Sequence, residues 1–259
     1  MALRICLAGA TGHVGQELVQ GILASSDLEL SSGVSRKGAG TSLTPKAKLY
    51  AGVGEALQAA PADVFIDYTH PDAVKAHLLA AIAAGCHGVV GTSGLSDSDY
   101  AEIGAAAAKC GVGVFAAGNF SLTAALLQHF ALQAAKQMPH WEILDYAGDT
   151  KPDAPSGTAR ELAYQLVQVA NPTWAVPVEQ TKGLKEARGA TLNGSQMHSI
   201  RVPGYYSAVQ AVFGSTGERI ELRHESTSYA PYVAGTLLAA RKVGAWKGLK
   251  RGMPALLEL

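Results

Sequence analysis

Leu3-Arg4-Ile5-Cys6-Leu7-Ala8 runs directly into Gly9-Ala10-Thr11-Gly12-His13-Val14-Gly15, and Glu17-Leu18-Val19-Gln20-Gly21-Ile22-Leu23 follows with a helical pattern. The opening run is short, largely apolar and bounded by glycine, so it reads as a buried strand. Glycines between a strand and a helix let the main chain turn sharply and let a phosphate approach its amides. The unpaired N–H groups and the dipole at the start of the helix favour that negative charge. Strand, glycine-rich turn and helix in this order form the phosphate-binding start of a dinucleotide fold. The spacing is G-x-x-G-x-x-G rather than G-x-G-x-x-G, so the context carries the reading more than the glycines do.

Further strand–helix units follow. Leu28–Val34 and Asp63–Tyr68 read as strands, Pro71–Ala84 as a helix, and Gly88–Gly91 as the next strand. Ser96 caps a helix over Asp97–Lys109, and Gly113–Ala117 closes the set. This alternation predicts an α/β class with a Rossmann-like, doubly wound parallel sheet whose ligands lie at the carboxyl ends of the strands. Cofactor-binding candidates are therefore Gly9, Thr11, Gly12, His13, Val14 and Gly15 at the phosphates, with Thr69, Gly91, Thr92, Ser93, Ala117, Asn119 and Phe120 towards the nicotinamide. His13 reads equally well as a solvated loop residue. About 20 residues past a glycine turn, an NAD enzyme places a carboxylate on the ribose 2′-hydroxyl. Ser35-Arg36-Lys37 stands there instead. A hydroxyl and two cations suit a 2′-phosphate, so NADPH is expected as the preferred cofactor and NADH as the second. A solvated basic loop is the competing reading.

A second motif lies past the middle of the chain. Lys151-Pro152-Asp153-Ala154-Pro155-Ser156-Gly157-Thr158-Ala159 sets a cation before a Pro-bracketed turn that enters a helix from Thr158 onward. Helix-start amides, the Ser156 and Thr158 hydroxyls and the Lys151 ammonium together suit a carboxylate. An ordinary helix cap is the alternative. Substrate-binding candidates are Lys151, Ser156, Gly157 and Thr158, with Lys151 also the catalytic candidate.

Composition narrows the classes. With 259 residues, the chain suits one large domain or two small ones. Zero net charge suggests neither a nucleic-acid nor an anionic-membrane partner. No apolar run approaches the ~20 residues that span a bilayer, and glycines interrupt the N-terminus where a signal peptide would be apolar. A small-molecule substrate and a cytoplasmic location are expected. Cys6, Cys86 and Cys110 read as reduced packing residues, and no Cys or His spacing matches a metal site.

Taken in order, the glycine turn, Asp67-Tyr68-Thr69-His70-Pro71, Gly91-Thr92-Ser93-Gly94, Gly118-Asn119-Phe120-Ser121 and Asp153-Ala154-Pro155-Ser156-Gly157-Thr158-Ala159 resemble the dihydrodipicolinate reductases. Ala187-Arg188-Gly189, Met197-His198-Ser199-Ile200-Arg201 and Arg223-His224-Glu225 extend the likeness over nearly the full length. The resemblance implies an NAD(P)H-dependent reductase of the diaminopimelate and lysine pathway. It implies a dinucleotide-binding domain over 1–118, with 231–259 returning to it. A second α/β domain with an open mixed sheet, over 119–230, would bind substrate and build a homotetramer. It also implies a His-His pair three to four residues before Lys151, one of which donates a proton, and an arginine before the returning helix. Those places hold Ala147, Gly148 and Tyr229.

Hydride reduction of a cyclic imine needs a held nicotinamide, fixed carboxylates and a proton. Without the histidine pair, the proton would come from water, Lys151 or a side chain of the Tyr146–Asp149 loop. Arg201 is expected as an exposed sheet or subunit-contact arginine, although it could face a second carboxylate. His70 is expected to be structural, and His198 and His224 to be buried partners or interface residues. A reductase of the same fold acting on another imino acid, and a non-catalytic NADPH sensor, are the competing functions. Retention of Lys151 and the Ser-Gly-Thr segment argues against the sensor.

Overall fold

A computed structural model describes residues 2–258. The chain begins with β1 (Leu3–Ala8), α1 (His13–Leu23), β2 (Leu28–Val34), β3 (Lys48–Tyr50), α2 (Val53–Ala59), β4 (Val64–Asp67), α3 (Pro71–Ala83), β5 (His87–Val90), α4 (Asp97–Cys110) and β6 (Gly113–Ala116). It continues with α5 (Leu122–Ala135), β7 (His140–Ala147), α6 (Gly157–Val169), β8 (Ala190–Leu192), β9 (Ser195–Arg201), β10 (Ser207–Ser215) and β11 (Glu218–Ser226). Helix α7 (Pro231–Lys242), β12 (Gly248–Arg251) and α8 (Met253–Leu257) end it. Two compact units result: residues up to Leu122 with those from Tyr229 onward, and Thr123–Ser228.

The first unit holds a seven-stranded sheet in the order β12-β6-β5-β4-β1-β2-β3, and all of its pairings are parallel. Every residue of β4 and β6 is buried, as expected for strands covered on both faces. The order reverses between β1 and β4, the crevice where doubly wound sheets receive ligands. Phe65, Val74, Leu78, Ile103 and Val114 fill one side of this sheet's core. Helix α3 starts on Pro71 with the His70 ring accepting from the Asp72 amide, and a reciprocal Ser96–Asp99 capping box starts α4.

Helix α1 begins at His13, inside the glycine turn, four residues earlier than its apolar periodicity from Glu17 suggests. The short β3 and α2 have no counterpart in the sequence reading. Three strand residues carry too little periodicity to separate from loop.

The second unit is a five-stranded mixed sheet in the order β11-β10-β7-β9-β8, with only β7 and β9 parallel. Helices α5 and α6 cover one face through Leu127, Ala131, Leu162 and Leu166 against Trp141, Ile143, Met197 and Phe213. Successive strand residues alternate faces. Trp141, Ile143 and Asp145 therefore point to the helices, and Glu142, Leu144 and Tyr146 to the open face.

Candidate active site

The turn between β1 and α1 is shaped by close packing. Gly9 has φ +82°, and a Cβ there would strike the Tyr68 carbonyl; a Cβ on Gly15 would strike the Gly9 carbonyl. Gly12 is the N-cap of α1 with no side-chain cap, and the first turn carries no acidic residue. The amides of His13, Val14 and Gly15 therefore face outward with the positive helix end, a cradle that fits a diphosphate. The His13 ring lies parallel to that of Tyr229, with centroids 5.2 Å apart and an interplanar angle of 2°. Thr11 and Ser35 join the turn to the end of β2 through hydroxyls 2.8 Å apart. Arg36 and Lys37 are exposed and hold no ion pair among the described residues.

Beside this turn, the ends of β4 and β5 converge on one carboxylate. Asp67 is fully buried. Its Oδ1 accepts from the Thr69 amide at 3.0 Å, the Thr69 hydroxyl at 2.7 Å and the Thr92 hydroxyl at 2.7 Å. His77 Nδ1 of α3 meets its Oδ2 at 2.9 Å. Thr92 is buried, so its side chain serves this network and only its main chain is left for a ligand. Tyr68 donates to or accepts from Thr236 at 2.7 Å, and the ring of this half-buried residue lies against Gly91, where a Cβ would collide with it. Burial drives the Tyr68 hydroxyl pKa well above the ordinary phenol range.

Asn119 and Phe120 lie beyond the end of β6 and are both buried. The Phe120 ring is 1 % exposed and packs edge-on to Phe115 at 5.8 Å, in the core. Buried Asn119 accepts from the Ser121 amide at 2.8 Å as the chain enters α5. Ser93 is exposed and Ala117 half-buried, both beyond strand ends.

In the second unit, Ser156 is the N-cap of α6 and its hydroxyl accepts from the Ala159 amide, so the helix starts at Gly157. The Ser156 amide donates to Asp145 Oδ2 at 2.8 Å. That amide is therefore already engaged, and the helix continues from it through Gly157 and the buried Thr158. Asp145 also receives Arg201 at 2.7 Å and the Ser199 hydroxyl at 3.3 Å, and Arg201 binds the Asp153 carbonyl at 2.8 Å. The expectation of an exposed Arg201 is wrong. Its side chain is 16 % exposed and ties β9 to the loop before α6. Lys151 pairs with Asp153 at 2.8 Å. Burial works against the Asp153 charge, but the Lys151 hydrogen bond and charge prevail and hold its pKa below the usual range.

Tyr146 is turned away from this loop. Its hydroxyl donates to Gln210 at 3.1 Å, and its ring lies 5.1 Å from Tyr205 under the Arg223 guanidinium, all on the open face. That removes it as a proton donor at the Lys151 loop. Buried Ala147 ends β7, and Gly148 starts the loop. His198 donates to Glu142 at 2.7 Å, and buried His224 lies 3.1 Å from the Thr123 hydroxyl. Sequence reasoning passed over His77 and the supporting roles of Asp67 and Asp145. Acidic residues ending apolar strands just before chemistry-bearing loops were the signal available. No His, Cys, Asp or Glu cluster able to hold a metal occurs among the described residues.

Comparison with known proteins covers both units. Residues 3–120 match the family described as dihydrodipicolinate reductase, N-terminus, and residues 123–257 match dihydrodipicolinate reductase, C-terminus. A 4-hydroxy-tetrahydrodipicolinate reductase of Mycolicibacterium gilvum is 36% identical over 258 residues, covering 99% of this chain and 100% of that protein. One from Desulfitobacterium hafniense is 33% identical over 274 residues, covering 99% of each. The solved structure of dipicolinate-bound dihydrodipicolinate reductase from Paenisporosarcina sp. TG-14 aligns with a TM-score of 0.86 at 28% identity, over 98% of this chain and 99% of that one. With both units matched and relatives aligned end to end, the chain belongs to the dihydrodipicolinate reductase family.

Proposed function

We propose that the protein carries out the NAD(P)H-dependent reduction of 4-hydroxy-tetrahydrodipicolinate, a cyclic imine dicarboxylate, in diaminopimelate and lysine biosynthesis. The carrying observation is the conjunction of a diphosphate cradle on α1 with a second unit whose Lys151–Thr158 segment presents a cation and helix-start amides to a carboxylate. In this reading the unit up to Leu122 with the returning C-terminal segment binds the dinucleotide, and Thr123–Ser228 binds substrate. The amides of His13, Val14 and Gly15 hold the diphosphate. Ser35, Arg36 and Lys37 receive a 2′-phosphate, which makes NADPH the preferred cofactor. Thr69, Gly91, Thr92, Ser93, Ala117, Asn119 and Phe120 border the nicotinamide end, the buried ones through their main chains. When bound, the dihydronicotinamide supplies a hydride.

On the substrate side, the Gly157 and Thr158 amides and the Ser156 and Thr158 hydroxyls hold a carboxylate. Lys151, with an N–H on the exposed side of its Asp153 pair, neutralises charge that develops on the ring and carries the proton there. An open sheet face also suits assembly. It holds a cavity of about 430 Å³ between Leu144, Val212, Trp174 and Val176, and the homotetramer reading places a second copy against it. Sedimentation tests that assembly.

The deciding experiment is NADPH oxidation with freshly generated 4-hydroxy-tetrahydrodipicolinate beside a panel of other cyclic imino acids. Turnover of the dicarboxylate above the panel is the expected result. Ala147 and Gly148, standing where the family resemblance implies histidines, favour one second reading, a changed imino-acid substrate. Faster turnover of a panel member would establish that reading. Binding of NADPH with no turnover of any would leave the sensor.

A further inference from the structure

Beneath the two loops assigned to the nicotinamide end lies a group that the proposed reaction does not use. Asp67 is 0 % exposed, yet it ends β4 as a carboxylate. A buried carboxylate persists only where donors replace water around both oxygens. Its Oδ1 is met by the Thr69 amide, the Thr69 hydroxyl and the Thr92 hydroxyl. The Thr69 amide also donates to the Thr92 hydroxyl at 2.7 Å, so the loop after β4 and the loop after β5 are fixed to each other as well as to Asp67. For Oδ2 the donor is a single side chain, His77, at 2.9 Å.

His77 is the residue that stands outside the local logic. Thr69 and Thr92 border the loops themselves, but His77 comes from the second turn of α3, on the same helix as the N-cap His70. Its side chain is 25% exposed, whereas Asp67 is sealed. Its Nδ1 also lies 3.4 Å from the Thr69 hydroxyl, so it touches the loop and the carboxylate together. Without the Nδ1–H donor, Oδ2 would be buried and unmatched, at the full desolvation cost of a charged acceptor. The cheapest relief is for the Asp67 carboxylate to rotate towards other donors, which withdraws Oδ1 from the groups that set both loops.

We propose that His77 is a positioning residue for the dinucleotide, acting through Asp67 on the Thr69 and Thr92 loops. This rests on the reading of those loops as cofactor loops. It gives His77 a role in cofactor binding although it lies outside the set of cofactor contacts.

The test is calorimetric binding of NADPH to His77→Leu and His77→Asn, with thermal unfolding of the free proteins as control. Asn carries an amide nitrogen in the place of Nδ1 and keeps the donor, whereas Leu removes it. His77→Leu should bind NADPH about tenfold more weakly or worse, and its KM for NADPH should rise by a similar factor while the substrate KM moves much less. His77→Asn should restore binding to near the wild-type level. A role confined to stability would lower the unfolding temperature of both variants and leave the Kd of the folded fraction unchanged. That result, or equal Kd for Leu and wild type, overturns the proposal. If His77→Leu does not fold, His77→Gln, whose amide sits one bond further out, replaces it with the same expected weakening. Hydrogen exchange of wild-type Thr69 and Gly91–Gly94 on saturation with NADPH separates this proposal from the reading beneath it. Protection there with an unchanged His77→Leu Kd sinks the His77 role alone, and absent protection sinks the loop assignment with it.

Discussion

The Arg201 guanidinium meets the Asp145 carboxylate at 2.7 Å with the two side chains only 16% and 1% exposed, and the same arginine grips the Asp153 carbonyl. The pair links β7 and β9 to the turn that opens α6. It thereby fixes Ser156, whose amide shares the same carboxylate oxygen. Removing one member of such a pair leaves a buried charge unmatched. Arg201→Met is expected to destabilise the protein by about 3–5 kcal/mol, and to raise the substrate KM in the fraction that folds. Urea unfolding and steady-state kinetics check both effects, and an unchanged midpoint would contradict the assignment.

Lys151 is different in kind, because its pair with Asp153 is half exposed. Surface pairs contribute at most about 1 kcal/mol. Lys151→Ala should therefore keep its unfolding midpoint while it raises KM and lowers kcat. NADPH affinity should not move. Loss of NADPH binding in this variant would mean that the division into cofactor and substrate units is wrong.

Arg36 is exposed and lacks an ion-pair partner among the described residues, so its removal perturbs little in the fold. If it meets the 2′-phosphate, Arg36→Ala loses a charge-assisted contact of about 1.5–3 kcal/mol. NADPH should then bind roughly ten- to a hundredfold more weakly, with NADH unaffected. Calorimetry with both cofactors decides it.

Two histidines predict a fall in stability on mild acidification. Burial lowers the pKa of His87 and of His224 below the ordinary imidazole value of about 6.5. The Gly113 amide donates to His87 Nδ1 at 2.9 Å, a bond that needs the unprotonated ring. His224 Nε2 is buried with no partner among the described residues. In the unfolded chain both rings take up protons near pH 6.5, before the folded ones do. Stability is therefore complete above about pH 6.5 and falls as the pH drops towards the folded values. Paired carboxylates such as Asp63, held low by Arg4, add their loss only below about pH 4. Urea midpoints between pH 7.5 and 5, set for about that window, should decline in wild type and decline less in His87→Gln.

Restoring histidine tests the Ala147-Gly148 departure. Ala147 is 1% exposed, so Ala147→His overpacks its site at a cost of about 1–3 kcal/mol. At Gly148, which starts the loop, a Cβ would sit a tight 3.1 Å from the Tyr205 carbonyl, so the neighbouring backbone must give by a few tenths of an ångström. Gly148→His should fold with a small loop adjustment. If the protein lacks a positioned acid, turnover of the dicarboxylate should rise in one of these variants by a sizeable part of the roughly 10²–10⁴-fold that such an acid provides. No gain, together with fast turnover of another imino acid, would favour the changed substrate.

What the sequence determined by itself was whatever depends on neighbours along the chain. Leu3–Ala8 as a strand, the glycine turn, the Ser96 cap and the Ser156 cap follow from local sterics and backbone hydrogen bonding, and the strand–helix alternation led directly to the doubly wound sheet. The boundaries of α1 and α6 shifted because a glycine N-cap at Gly12 and a serine N-cap at Ser156 begin helices before any apolar periodicity is visible. Tertiary structure alone decided which polar groups meet across long separations. Asp67 with Thr92 and His77, Asp145 with Arg201, and His13 with Tyr229 are joined by sheet register and helix packing. Arg201 reads as exposed in sequence because arginine usually is; only the parallel register of β9 on β7 brings it to a buried carboxylate. For the two buried carboxylates the physical reason is the same: a charge enters the interior only where a partner, fixed by the fold and not by the chain, replaces the water it lost.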